Sequence, residues 1–172
     1  MKFTTKLFLT WTSIFLIFYL TVIAIISLFW GIEILLWQLA LVFFIAGVLP
    51  PAFLTMLFYR KLNYMEFESD TPPAFEGQVE AIIPFKSRTS NHFNEVFQKI
   101  DMGFIVSYSD RESKVVKFRT DSRVLAWGVC GYVKILDDNT VRAIVYPMNA
   151  DSKREEIILN QALSLLRTIL NP

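Results

Sequence analysis

Residues 34–59, ILLWQLALVFFIAGVLPPAFLTMLFY, run for 26 positions without a charged side chain. Residues 7–30 form a second uncharged run of 24 positions, and only three residues, 31–33, separate the two runs. As helices they are roughly 39 and 36 Å long, which is enough to cross a hydrocarbon core of about 30 Å. Because the connection is so short, residues 1–59 are predicted to form an antiparallel hairpin of two transmembrane helices.

A cleaved signal peptide is the alternative interpretation of the first run, since Lys2 and Lys6 precede it. A signal peptide has an apolar region of ~7–15 residues followed by a small-residue cleavage site, and residues 7–30 have neither property. Arg60 and Lys61 follow the second run, so the positive-inside rule places both termini in the cytoplasm. We therefore predict an integral membrane protein, of the cell inner membrane if the host is bacterial.

The second span contains two consecutive prolines, Pro50 and Pro51. Proline has no N–H group, and each proline disfavours α-helical geometry at the residue before it. The carbonyls of Ala46 and Gly47 lose their usual helical donors, and in lipid such groups need another partner. We predict a kink at residues 50–51 that packs against another helix. A discontinuous helix lining a transport site is the alternative, although such sites usually contain buried charged groups that these spans lack.

Small side chains along both spans favour close packing of the hairpin against itself, a second copy or another membrane protein. The predicted packing residues are Ala24, Ser27, Gly31, Ala40 and Gly47.

Residues 60–77 are predicted to be an interfacial linker. Tyr64, Met65 and Phe67 suit the headgroup region, and the two prolines at 72 and 73 indicate an extended chain. The remainder, residues 78–172, is predicted to be a separate cytoplasmic domain. From residue 60 onward the chain has 15 basic and 15 acidic residues. That balance argues against nucleic acid as a partner, because phosphate binding needs a clustered basic excess.

The pattern of residues 78–172 predicts the order β-α-β-β-β-β-α, an antiparallel sheet covered on one face by two helices. Phe93, Val96, Phe97 and Ile100 follow helical spacing, and Gly103 is predicted to end that helix in a left-handed cap. Further along, Phe104, Val106 and Tyr108 alternate as on one strand face, and glycines 128 and 131 suggest a bulge or a close backbone approach. Ser152 and Glu155 fit a capping box at the start of a C-terminal helix.

One candidate binding site lies in the segment FKSRTSNH, residues 85–92. Lys86, Arg88 and Ser90 stand at the start of the first domain helix, where free amides and adjacent cations favour an anion such as a lipid headgroup. An ordinary solvated helix cap is the alternative.

We predict no catalytic, metal or cofactor site. His92 is the only histidine and Cys130 the only cysteine, so a metal cluster of several histidines or cysteines cannot form within one chain, and we expect no Ser-His-Asp triad. The aspartates at 110, 137 and 138 lie in predicted turns, and the glutamates at 155 and 156 lie in the first turn of a helix, where each has a structural role.

These observations favour a non-enzymatic accessory or scaffold subunit that presents a small cytoplasmic domain to a protein partner at the membrane. One alternative is the binding of a lipid or amphiphile in a groove between the sheet and the C-terminal helix. An open groove among Phe104, Phe118 and Trp127 would favour that alternative, whereas a filled core would favour the scaffold. Another alternative is a subunit of a transporter or channel.

Overall fold

The computed structural model of the protein describes residues 3–31, 35–87, 89, 91–120, 128–137, 139–148 and 153–171. The chain divides into two compact units, Met1–Leu62 and Asn63–Pro172. In chain order the elements are α1 (Phe3–Trp30), α2 (Leu36–Val42), a π-helical turn (Phe43–Val48), α3 (Leu49–Glu66), β1 (Val79–Pro84), α4 (His92–Gly103), β2 (Ile105–Asp110), β3 (Val115–Arg119), β4 (Val129–Ile135), β5 (Thr140–Pro147) and α5 (Lys153–Leu170).

Long apolar helices dominate the N-terminal part of the chain, as predicted. The stretches Thr4–Trp30 and Leu36–Glu66, of 27 and 31 residues, are long and apolar enough to cross a membrane by length and composition. Four hydroxyl groups within them, those of Thr10, Ser13, Thr21 and Thr55, donate to the carbonyl four residues earlier. These polar atoms therefore need no water, which suits a helix in an apolar medium.

The irregular part of the second helix lies just before the two prolines. Phe43–Val48 forms a π-helical turn, and the N–H of Leu49 donates to the carbonyl of Phe44, five residues earlier. Pro50 and Pro51 themselves lie in the first turn of α3, so the chain stays helical there. The wider π-helical turn leaves space for the proline rings. It also accommodates part of the change in hydrogen bonding that the missing proline N–H groups cause. The kink at residues 50–51 stays a prediction. The helix departs from α-helical geometry a few residues earlier, at Phe43–Val48.

Gly47 lies within the π-turn and is buried. A Cβ atom built on Gly47 would lie 2.6 Å from Cδ2 of Leu16 in α1, so no larger side chain fits there without movement of that leucine. Ala24, Ser27, Gly31 and Ala40 are exposed in the structure. Their role in helix packing stays a prediction.

The C-terminal part of the chain contains a five-stranded antiparallel sheet in the order β1-β5-β4-β3-β2. Consecutive strands from β2 to β5 are neighbours, while β1 pairs with β5, for example Ala81 with Ala143. The predicted antiparallel sheet and C-terminal helix are confirmed. Ser152, the first residue of the predicted capping box, lies outside the described residues, so the capping box stays a prediction.

One face of the sheet packs against α4 and α5 in a single hydrophobic core. Because side chains alternate along a strand, the residues of β1 that face these helices are Val79, Ala81 and Ile83. The buried helix residues of this core are Val96, Ile100, Leu159, Ala162, Leu163, Leu166 and Leu170. Both helices therefore cover the same face, although Ile158 and Leu165 of α5 stay exposed.

Two aspartates stabilise the hairpin turns through hydrogen bonds to the nearby backbone. The carboxylate of Asp110 accepts from the amides of Glu112 and Ser113, and that of Asp137 accepts from the amide of Asn139 and the hydroxyl of Thr140. The hydroxyl of Ser113 also donates to Asp110. Hydroxyl donors, Ser113 at Asp110 and Thr140 at Asp137, are the largest cause that holds the pKa of each carboxyl group below its usual range, and the amide bonds add to it. The predicted turn role is thus seen at Asp110 and Asp137, while Asp138 lies outside the described residues.

The predictions for Gly103 and the strand glycines are corrected in detail. Gly103 is the last residue of α4 but has no positive φ, so the predicted left-handed cap is wrong. A Cβ at Gly103 would meet Cδ1 of Ile169, the flexible end of that side chain, which can move aside. Gly131 makes room for the ring of Phe118 on the neighbouring strand. The bulge in the described part of the sheet lies in β2, between Val106 and Tyr108.

Candidate functional site: a buried lysine beneath residues 63–78

The second face of the sheet, opposite α4 and α5, is also covered. Val115, Tyr132 and Ile144 form a buried cluster on this face, with Tyr64 packed against it. Tyr64 lies in the last turn of α3, so the chain that precedes β1 folds back over the sheet. We call residues 63–78 the strap, because they lie across this face.

Lys117 of β3 is fully buried between the sheet and the strap, with no exposed surface. Its Nζ donates to the carbonyl oxygens of Tyr64 and Phe67, each at 2.9 Å. Carbonyls at the C-terminal end of a helix have no donor within that helix and carry partial negative charge. The ammonium group therefore caps the helical turn at residues 63–66 and fastens this part of the strap to β3.

Two tyrosine rings complete the surroundings of the ammonium. Lys117 Nζ lies 4.1 Å from the ring centroid of Tyr64 and 5.1 Å from that of Tyr108. The negative ring faces favour a cation at this distance. Tyr108 reaches this face because of the β2 bulge, so the prediction that it shares a face with Phe104 and Val106 is wrong. The extra residue of a bulge changes the side from which the next side chain projects.

Further contacts attach the strap along its length. The Tyr132 hydroxyl donates to the carbonyl of Asp70 at 2.7 Å, and the Tyr64 hydroxyl donates to the carbonyl of Thr71 at 2.6 Å. The ring of Phe75 lies 4.7 Å from that of Tyr146 in β5 and 5.5 Å from that of Tyr64, measured between centroids. Part of the sequence predicted to be a linker thus contributes to the packing of the C-terminal unit.

The pKa values of this site follow from burial. Burial lowers the pKa of Lys117 from 10.5 to about 8, and the Asp70 carboxylate raises it in part. Burial also raises the pKa of the phenols of Tyr108, Tyr132 and Tyr146 above the usual 10.0. Burial in this site therefore favours the neutral form of the phenols and also the neutral form of the Lys117 amine.

The free energy of unfolding is expected to rise by about 2 kcal/mol between about pH 8 and pH 10. In this interval the unfolded chain keeps a lysine proton that the folded chain has released, so a rise in pH favours the folded chain. Above about pH 10 the tyrosines ionise first in the unfolded chain, and stability falls again. Urea titrations of the detergent-solubilised protein at each pH measure this profile. Lys117→Met should remove the rise, and a flat profile for the wild type would contradict the assignment.

The predicted anion site is only partly described by the structure. Lys86 is exposed, while Arg88 and Ser90 lie outside the described residues. The carboxylate of Glu95 already accepts hydrogen bonds from the Ser87 hydroxyl and from the amide and hydroxyl of Thr89, and it pairs with Lys99 at 3.1 Å. An anion bound beside this carboxylate would meet like charge. The anion-binding role of Lys86, Arg88 and Ser90 stays a prediction.

Two further reactive side chains are Cys130 and His92, and the described carboxylates offer no metal site beside them. Within the ranges that the structure describes, no three His, Cys, Asp or Glu residues are placed to hold a metal ion. Cys130 is buried in β4. His92 begins α4, with its ring at the edge of Phe85, 6.4 Å away between centroids.

Lys117 is the residue that the sequence pattern missed. Residues 114–120, KVVKFRT, read as one strand of the predicted antiparallel sheet, and lysine at such a position is ordinarily solvated. The usable signal was that Val115 and Val116, neighbours that project to opposite faces of the strand, are both apolar. A strand that is apolar on both faces indicates two covering layers, and a charge within it indicates a specific partner.

Two comparisons with known proteins were negative: no protein-family model matches this chain, and a search of curated proteins found no similar sequence.

Proposed function

We propose that the protein is a non-enzymatic accessory or scaffold subunit, anchored by a transmembrane helical hairpin and carrying an α+β domain that binds a protein partner. The two long apolar stretches support the anchor. The basic residues that flank them, Lys2 and Lys6 at one end and Arg60 and Lys61 at the other, support cytoplasmic termini. Such a chain would belong to the cell inner membrane in a bacterium.

The observation that carries this proposal is the filled core between the sheet and α5. Phe104 and Phe118 are buried with their ring centroids 4.4 Å apart, and both pack in the core that contains Leu166 and Leu170. The ring of Phe118 occupies the space that a side chain at Gly131 would need. An acyl chain in this layer would have to displace well-packed side chains. This favours the scaffold over the lipid-binding alternative, for which Trp127 lies outside the described residues.

The test is mild detergent extraction of the tagged protein from its native membrane, followed by mass spectrometry of the proteins and lipids that copurify. We expect a protein partner at a fixed stoichiometry. A variant with Lys86→Glu and Arg88→Glu should retain that partner. Recovery of one specific lipid, without a protein, and its loss in the charge-reversed variant would instead establish the lipid-binding alternative.

A further inference from the structure

The strap makes its own backbone hydrogen bonds and does not depend on the sheet for them. The N–H of Ser69 donates to the carbonyl of Phe67, and that of Thr71 donates to the hydroxyl of Ser69. The N–H of Phe75 donates to the side chain of Gln78, whose own N–H donates back to the carbonyl of Phe75. These amides stay paired if the strap leaves the sheet, so its removal does not carry the cost of orphaned N–H groups.

Three polar bonds from the sheet to the strap come from side chains and end on strap carbonyls. Lys117 donates to the carbonyls of Tyr64 and Phe67, and Tyr132 donates to that of Asp70. Main-chain carbonyls are present in any peptide, and water can solvate them after release. In addition, Lys117 regains full hydration when the strap opens, which offsets part of the lost bonding. The strap is therefore bound in the way that a peptide ligand is bound.

Charge complementarity indicates which kind of segment this face accepts. The strap contains four acidic residues and no basic ones within NYMEFESDTPPAFEGQ. The sheet face opposite the helices carries Lys117, Arg119, Lys134 and Arg142, as the strand pairing places them on one side. Glu80, which pairs with Arg142, and Asp110 are the acidic residues of the same face. Aromatic contacts from Tyr64 and Phe75 to Tyr146 add specificity.

We propose that the strap is a displaceable intramolecular ligand, and that the sheet face beneath it binds an acidic, aromatic segment of a protein partner in its place. The second half of this inference rests on the proposed scaffold function, because it names the surface and the chemistry by which the partner docks. The strap then blocks that surface until a competing segment replaces it, as in an autoinhibited binding domain.

The test uses a fluorescent synthetic peptide of residues 63–78 and the full-length protein in detergent micelles. Phe75→Ala in the protein weakens the strap and leaves the sheet face unchanged, whereas Ala74→Ser alters an exposed strap position as a matched control. By fluorescence anisotropy, the peptide should bind Phe75→Ala roughly tenfold more tightly than it binds wild type, since one aromatic contact no longer competes. Ala74→Ser should behave as wild type, and higher salt should weaken binding.

A second peptide with Tyr64→Ala and Phe75→Ala should not bind. The proposal is overturned if the folded Phe75→Ala protein shows no binding at millimolar peptide, or if both peptides bind all proteins equally. Should Phe75→Ala lose its sheet by circular dichroism, Tyr64→Leu replaces it, because leucine keeps the apolar contact but lacks the hydroxyl bond to Thr71. A negative peptide result with a stoichiometric partner in the membrane extract would refute the docking surface while leaving the scaffold function in place.

Discussion

Lys117→Ala is expected to lower the free energy of unfolding by about 3 kcal/mol at neutral pH. Three contributions decide this value. Loss of the buried aliphatic stem costs about 2–3 kcal/mol, and the two carbonyls left without a donor cost about 1–3 kcal/mol each. Removal of the buried charge stabilises the folded variant by roughly 3 kcal/mol, as judged from the lowered pKa of Lys117. The destabilising contributions are larger.

The measurement is urea unfolding of the detergent-solubilised protein, followed by circular dichroism of the sheet. Lys86→Ala serves as the control, because the same change at an exposed lysine should alter stability by less than about 0.5 kcal/mol. Lys117→Met separates the contributions, since it refills the space but leaves the carbonyls unpaired. Equal stability of Lys117→Ala and the wild type would show that the lysine does not hold the strap.

Local sequence patterns predicted the elements of the C-terminal unit because spacing and turn residues report on a single helix, strand or turn, without reference to what packs against it. The helical spacing from Phe93 to Ile100 matches α4, and the polar turns around Asp110 and Asp137 match two hairpins. Consecutive hairpins also make neighbouring strands antiparallel, which explains the strand order from β2 to β5.

The lysine site was not predictable in this way because its partners are far apart in sequence. Lys117 contacts carbonyls 50 and 53 residues earlier, and Tyr132 contacts one 62 residues earlier. Carbonyls have no sequence signature, so nothing in the strap marks it as a partner of Lys117. Its tyrosine and phenylalanines suit a membrane interface equally well by composition, and only the three-dimensional packing distinguishes the two environments.

One extra residue in β2 also places Tyr108 on the opposite sheet face from the one predicted. The alternation of Phe104, Val106 and Tyr108 is valid for a regular strand, but the β2 bulge between Val106 and Tyr108 reverses it. Bulges leave little trace in sequence, because the extra residue here, Ser107, is compatible with either geometry. The error matters, since Tyr108 lies beside the ammonium of Lys117 instead of in the core.

Gly131→Ala is expected to destabilise the protein by about 3 kcal/mol, the upper part of the usual range for overpacking a core. A Cβ at this position would overlap three atoms of the Phe118 ring. That ring is fully buried and in contact with Phe104, so its movement would also disturb Phe104. The usual gain from replacing a strand glycine, about 0.5–1 kcal/mol, is too small to compensate.

Phe118→Leu provides the decisive partner for a double-mutant cycle. Alone it should cost about 1 kcal/mol through lost contacts, but combined with Gly131→Ala it frees the space that the new methyl group needs. The double variant should therefore be more stable than Gly131→Ala alone, which is the coupling expected of two residues in contact. Gly103→Ala is the matched control. Its Cβ meets only the flexible end of Ile169 and gains helix propensity, so it should be nearly neutral. Additive costs for Gly131 and Phe118 in thermal or urea unfolding would refute this packing, and with it the filled core on which the scaffold proposal depends.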